Sequence, residues 1–122
     1  GHTACMSLGF DRRPSVGEAL EVLRAWRGPE WIRDMPTAPE LPVIVTDAPD
    51  RPQPRRDVMA GEGMSVTVGR VREDRLLDLR LVASGHNTIR GAAGGSILNA
   101  EIALGAPNRA RGVDPAALAA AG

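Results

Sequence analysis

Few residues in this chain are suited to proton transfer, nucleophilic attack or anion binding. Its 122 residues contain two histidines, His2 and His86, one cysteine, Cys5, and fifteen basic residues that are all arginine. An imidazole exchanges protons near neutral pH, so His2 can act as an acid or a base if a nucleophile and a substrate lie beside it. The alternative interpretation is a solvated terminal histidine without a role.

Cysteine usage restricts the chemistry further. A single cysteine excludes an internal disulfide and a zinc site built from cysteines, and it favours a reducing, cytoplasmic compartment. We expect no metal site, and we expect Cys5 to behave as a small buried hydrophobe rather than as a nucleophile.

Three arginines, Arg51, Arg55 and Arg56, share a proline-rich segment. Their guanidinium groups could bind an anion such as phosphate through charge-assisted hydrogen bonds. Two alternatives stay open at this point. The segment is either a solvated charged loop or an arm that packs on a second subunit.

Composition excludes several classes of partner. Fifteen basic residues balance fifteen acidic ones, whereas nucleic-acid binding normally requires a strongly basic face. No apolar run reaches the roughly 18 residues that cross a bilayer, so we expect no membrane partner. One Phe, two Trp and no Tyr leave a core poor in aromatic residues, which favours association with a partner surface.

The N-terminal half reads as strand, helix and strand. Rough alternation over Ala4–Phe10 predicts a half-buried strand. Ser15 and Glu18 form a capping box, and the apolar residues that follow recur at helical spacing, so a helix is expected over Val16–Arg27. The β-branched residues of Val43–Thr46 favour a second strand.

The C-terminal half reads as loop, hairpin and helix. We expect a long structureless loop over Asp47–Gly63, a β-hairpin over Met64–Ala83 and a helix over Ala92–Leu104 that begins with small residues. The Ala-rich tail, 105–122, is expected to be poorly ordered. The predicted fold is α+β, a mainly antiparallel or mixed sheet of about four strands with one packed helix and a C-terminal helix.

Four blocks of the sequence carry a family resemblance. They occur in the order found in the aspartate-semialdehyde dehydrogenase family, and in particular in its archaeal and fungal branch, which includes malonyl-CoA reductases. The blocks are Gly1-His2-Thr3, Asp50–Pro54, Gly63–Arg72 and His86–Glu101. The resemblance spans residues 1–104 and implies an incomplete C-terminal catalytic and dimerisation region.

The resemblance also implies a reaction and two site residues. Family members are NADP-dependent oxidoreductases of amino-acid biosynthesis that convert aspartyl phosphate to aspartate semialdehyde after a cysteine thiolate attacks the carbonyl group. The histidine of the Gly-His-Thr motif, an acid and base in the family, corresponds to His2. The asparagine of the His-Asn-Thr turn, which lies near the cofactor, corresponds to Asn87. A homodimer or a higher homo-oligomer is expected.

Several family features have no counterpart in these residues. The Gly-rich dinucleotide turn, the cysteine in its Ser-Asn-Cys setting and the substrate-binding arginine are missing, and Arg56 stands where an apolar residue is usual. Cys5 does not lie in the nucleophile motif. We therefore expect the chain alone to bind no NADP and to be inactive, with the missing nucleotide-binding domain as its partner.

Alternatives to this assignment follow from the same gaps. The chain could be a stand-alone oligomerisation or interaction module, or a fragment of a malonyl-CoA reductase, because the groups that select the substrate lie elsewhere. Gly1-His2 without a preceding Met indicates either a piece of a longer protein or the remnant of a tag. The helix at Ala92 should lack its usual cover, and three outcomes are open: it frays, it contacts a second subunit, or it folds back on the sheet through Ile97, Leu98, Ile102 and Leu104. We expect the contact with a second subunit.

Overall fold

One four-stranded mixed sheet organises the structure, a computed structural model that describes residues 1–105. The strand order is β1-β4-β3-β2, with β1, β4 and β3 antiparallel and β2 parallel to β3. The strands are β1 (His2–Leu8), β2 (Val43–Thr46), β3 (Val66–Glu73) and β4 (Leu79–Gly85). The helices are α1 (Val16–Ala25), α2 (Glu30–Arg33), α3 (Pro54–Asp57) and α4 (Gly94–Ala103). The predicted α+β class and the four-stranded sheet are confirmed.

Helix α1 begins where its capping box predicts. The hydroxyl of Ser15 accepts a hydrogen bond from the Glu18 N–H at 3.1 Å, and the Glu18 carboxylate accepts one from the Ser15 N–H at 2.7 Å. Hydrogen bonding from the Ser15 backbone, followed by its side chain, lowers the pKa of Glu18. The helix ends at Ala25 rather than at the predicted Arg27, because Trp26 is already extended.

The segment between β2 and β3 is ordered, so the prediction of a structureless loop over Asp47–Gly63 is wrong. It contains α3 and a tight turn over Ala60–Gly63. It also packs directly on the sheet, since a Cβ on Gly69 of β3 would lie 2.7 Å from the carbonyl oxygen of Arg51. Only a glycine allows the two backbones this close approach.

Strands β3 and β4 form the predicted hairpin, with an irregularity between Gly69 and Arg72. Gly69 pairs with Val82 and Arg72 pairs with Arg80, so β3 carries one residue more than β4 across this interval. This is the geometry of a β-bulge. Arg70 within it has a left-handed φ of 55°.

Helix α4 follows a π-helical turn over Ile89–Ala93 and packs within its own chain. Leu98 joins Met35 and Met64 in a buried cluster against which Ile102 also packs. Leu98 and Ile102 are therefore covered within the chain, whereas Ile97 and Leu104 are 55% and 74% exposed, and the expected contact of α4 with a second subunit stays a prediction. The small residues of this turn and helix are exposed, namely Ala92, Ala93, Ser96, Ala100 and Ala103. The predicted tail lies outside the described residues from position 106 onwards.

Candidate functional site

His2 and Asn87 lie at the same end of the sheet. His2 is the first residue of β1, and its partner in the antiparallel register is Gly85, the last residue of β4. Asn87 follows Gly85 by two residues, in the turn that leaves this strand. Both side chains are exposed. The fold thus brings to one end of the sheet two candidate residues that are far apart in the sequence.

The start of β1 lies against the end of β4 and against the segment that follows β2. A Cβ on Gly1 would lie 2.8 Å from the carbonyl oxygen of Gly85 and 2.9 Å from the Cγ2 atom of Val58. Val58 directly follows α3. The ordered segment after β2 therefore contacts the residue that precedes His2.

A buried carboxylate holds this segment together. Asp57 is only 4% exposed and accepts two hydrogen bonds from the Arg51 guanidinium, including one from Nε at 2.8 Å, and one from the Gln53 N–H at 2.6 Å. The Arg51 hydrogen bond, reinforced by that from Gln53, holds the pKa of Asp57 below its ordinary value, although burial opposes this. The same bond raises the pKa of Arg51.

The anion-binding alternative for the arginine-rich segment does not fit Arg51, whose guanidinium is already bound to Asp57. Arg56 pairs with Asp50 at 3.3 Å on the surface. Only Arg55 makes no ion pair with another described residue. The segment works as a packed support for the sheet.

His86 is a positioning residue that the sequence interpretation missed. Its Nδ1 accepts hydrogen bonds from the Thr88 N–H at 3.2 Å and from the Ile89 N–H at 3.0 Å. This acceptor role places the proton of the neutral ring on Nε2. The ring thus closes the turn that presents Asn87. No sequence signal identified it, because the usual caps are Ser, Thr, Asp and Asn.

Cys5 is exposed, so the expectation of a small buried hydrophobe is wrong. It pairs with Val82 in the register, whereas His2 pairs with Gly85. Side chains alternate between the two faces of a strand, and residues 2 and 5 therefore point to opposite faces. Cys5 is not placed to act together with His2.

Metal-binding clusters and membrane-spanning helices are two further features that residues 1–105 lack. No cluster of three or more His, Cys, Asp or Glu side chains with the geometry to hold a metal ion is present among them. Within the same range, no helix has the length and apolar character needed to cross a membrane.

Comparison with known proteins shows the family. The model of the family described as "Semialdehyde dehydrogenase, dimerisation domain" matches residues 1–90. The aspartate-semialdehyde dehydrogenase of Archaeoglobus fulgidus is 50% identical over 104 residues, which are 85% of this chain and 29% of that protein. The enzyme of Candida albicans is 48% identical over 104 residues, covering 84% of this chain and 28% of that protein.

A solved structure gives the same result. The crystal structure of aspartate-semialdehyde dehydrogenase with NADP from Candida albicans matches with a TM-score of 0.72 and 48% identity, over 82% of this chain and 28% of that chain. The chain thus spans less than a third of the length of these relatives. The description of its family as a dimerisation domain supports homo-oligomerisation. With three quarters of its residues matched by the family model and with close relatives in archaea and fungi, the chain belongs to the semialdehyde dehydrogenase dimerisation-domain family.

Proposed function

We propose that residues 1–104 are part of the catalytic and dimerisation region of an NADP-dependent enzyme that reduces aspartyl phosphate to aspartate semialdehyde. Relatives about half identical to this chain are named aspartate-semialdehyde dehydrogenases. The observation that carries the proposal is the β1–β4 register, because it brings His2 next to the strand end from which the Asn87 turn departs. The rest of the enzyme, with its nucleotide-binding domain and nucleophilic cysteine, would come from outside these residues.

His2 is the proposed acid and base. Its exposed position at the start of β1 leaves its imidazole accessible to a substrate held by another domain. There it takes a proton from the reacting group and returns it. Cys5, on the opposite face, takes no part.

Asn87 is the proposed contact to the cofactor. NADP, when bound, would supply the hydride acceptor or donor of the reaction. Asn87 fits such a contact because its exposed amide can both donate and accept hydrogen bonds, on a turn that His86 holds closed. One exposed amide provides a single edge of a dinucleotide site, so we propose that the chain alone binds no NADP and has no dehydrogenase activity.

A chimera tests this assignment. The part of the Archaeoglobus relative that has no counterpart here would be joined before Gly1, and phosphate-dependent reduction of NADP would be measured with aspartate semialdehyde. We expect turnover in the chimera and none in the isolated chain. His2→Ala should lower kcat by about 100- to 10,000-fold, the usual contribution of a general acid or base.

Controls separate the alternatives. Cys5→Ala should leave kcat of the chimera within about twofold of the parent, because the side chain lies on the other face of the sheet. Full kcat in His2→Ala would overturn the catalytic assignment. Activity with malonyl-CoA and NADPH, but not with aspartate semialdehyde, would instead identify a malonyl-CoA reductase. A correctly folded chimera without either activity would favour an interaction module.

The proposed partner of the isolated chain is a second copy. Among the described strands β1 pairs only with β4, so in this part of the chain its other edge offers free backbone donors and acceptors. Residues Thr3–Leu8 contain no charge and no proline, the features that normally protect an edge strand. Antiparallel pairing of two such edges about a twofold axis gives a homodimer. We place it in the cytoplasm, where its single exposed thiol stays reduced.

A further inference from the structure

A cleft of about 270 Å³ lies on the sheet between β1, β4 and β3. It is on the face that carries Cys5 and Val82, opposite to the face of His2. Three arginines contribute to its walls, and all three are exposed. Its lining includes Cys5, Ser7, Arg70, Arg72, Arg80 and Val82.

The bulge in β3 brings these arginines together. In a regular strand, alternation from Gly69 would turn both Arg70 and Arg72 to the opposite face. The extra residue between Gly69 and Arg72 reverses this, because Arg72 now pairs with Arg80. Bulges often re-aim a side chain in this way. Arg70 reaches the cleft from a left-handed φ of 55°, a conformation unfavourable for a residue with a Cβ.

The cleft carries an excess of positive charge. Within residues 1–105, none of Arg70, Arg72 and Arg80 forms an ion pair with a carboxylate. Arg72 instead donates to the carbonyl oxygen of Arg70 at 3.2 Å. The carboxylate near Arg80 is that of Asp74, whose Oδ1 accepts a hydrogen bond from the Arg75 N–H at 2.8 Å. The lining of the cleft itself contains three arginines and no carboxylate.

We propose that this cleft binds a small, multiply charged oxyanion, namely a phosphate or diphosphate group. Guanidinium groups present pairs of N–H donors that match the oxygen atoms of such anions. A volume of 270 Å³ is below the roughly 300 Å³ at which pockets for drug-sized ligands begin, and it suits a small anion. The inference is independent of the proposed function, because none of these residues has a part in that reaction.

Titration of the full chain with sodium diphosphate, and separately with inorganic phosphate, tests the proposal. Ionic strength would be held constant with sodium chloride, and binding followed by calorimetry and by the NMR signals of the arginine Nε–H groups. We expect saturable binding that shifts the signals of the three cleft arginines. Arg70→Gln and Arg80→Gln should each weaken binding by about tenfold or more, the usual effect of losing a hydrogen bond to a charged group.

Arg75→Gln is the matched control, because it removes the same charge from the turn of the same hairpin without touching the cleft. The affinity of this variant for diphosphate should stay within about twofold of that of the parent chain. Tighter binding of diphosphate than of phosphate would identify a diphosphate site. Equal affinities for the two anions would identify a site for a single phosphate group. Absence of saturable binding in the folded parent chain would overturn the proposal, as would an equal loss in Arg75→Gln.

Sedimentation of the same variants tests the alternative that a second subunit, and not an anion, occupies the cleft. If the two glutamine variants dissociate an oligomer but leave diphosphate affinity unchanged, the arginines contact a second subunit and the proposal is wrong. Amide spectra of each variant report whether the hairpin has kept its fold. If one of these variants unfolds, Arg72→Gln provides a third substitution in the same cleft.

Discussion

At the scale of single residues, Asp57 connects the support segment to the candidate site. Its carboxylate binds Arg51, whose carbonyl oxygen packs against Gly69, and it ends a helix that is followed directly by Val58. Val58 in turn touches the residue before His2. One buried charge therefore links the middle of the sheet to the edge at which the proposed acid and base is placed.

Loss of this charge should destabilise the fold. Asp57→Asn removes the charge from a side chain that is 4% exposed and leaves Arg51 without its partner, so we expect unfolding to become easier by about 2 kcal/mol. Urea denaturation measures this change. Asp50→Asn is the control, because Asp50 pairs with Arg56 on the surface. This substitution should lower the free energy of unfolding by at most about 1 kcal/mol.

The same substitution predicts the direction of a pH effect. The pKa of Asp57 is lowered in the folded chain, so its ionised form stabilises the fold above the unfolded value of about 3.9. This contribution is lost as the pH falls below about 3.9 and through the lower folded pKa. The stability difference between the parent chain and Asp57→Asn should therefore shrink in acid. A difference that stays constant from pH 7 to pH 2.5 would contradict the assignment.

At the scale of elements, local signals predicted much of the fold. The Ser15 capping box located the start of α1, and the β-branched run predicted β2 with its observed bounds. The register of β1 against β4 and the bulge at Arg70 arise only when the strands pair, so alternation along the chain did not contain them. The two candidate site residues, His2 and Asn87, were identified from the family resemblance. Their proximity became clear only from the pairing of the strands in the sheet.

The ordered structure of the segment between β2 and β3 was not predicted, and the reason is physical. The prolines and arginines there are typical of a solvated loop, and its structure comes from the Asp57 hydrogen bonds and from close packing on Gly69. Helix α2 was missed as well, because four residues among prolines carry no periodic pattern. In the first case the close approach to Gly69 outweighs local composition, and in the second Ile32 of α2 packs against the buried cluster that contains Met64 and Leu98.

Helix α4 gives a prediction at this scale. The Thr37 N–H and hydroxyl donate to the Glu101 carboxylate at 3.0 and 2.6 Å, beside the buried Leu98. Glu101→Ala should therefore speed hydrogen exchange of the α4 amides, whereas Asn99→Ala, at an exposed position, should leave it unchanged. Because the cover is intramolecular, protection of α4 should survive dilution to monomer. Loss of protection on dilution would show that a second subunit covers the helix.

At the scale of the whole molecule, the surfaces with a proposed function lie on different parts of the sheet. His2 begins β1, the arginine cleft occupies the face opposite to it, and the outer edge of β1 has no partner strand within residues 1–105. Pairing of two copies through that edge would extend the sheet to eight strands without covering either face. The homodimer and the anion site are therefore compatible in one assembly.

Edge pairing predicts how the homodimer can be broken. Sedimentation of the parent chain at tens of micromolar should give the mass of a dimer. Ala4→Lys places a charge in the middle of the edge strand and should give a monomer, because lysine on an edge opposes strand addition. Val22→Lys adds the same charge on α1, at a residue 68% exposed, and should stay dimeric. A monomeric parent chain, or dissociation by Val22→Lys as complete as by Ala4→Lys, would exclude β1 as the contact.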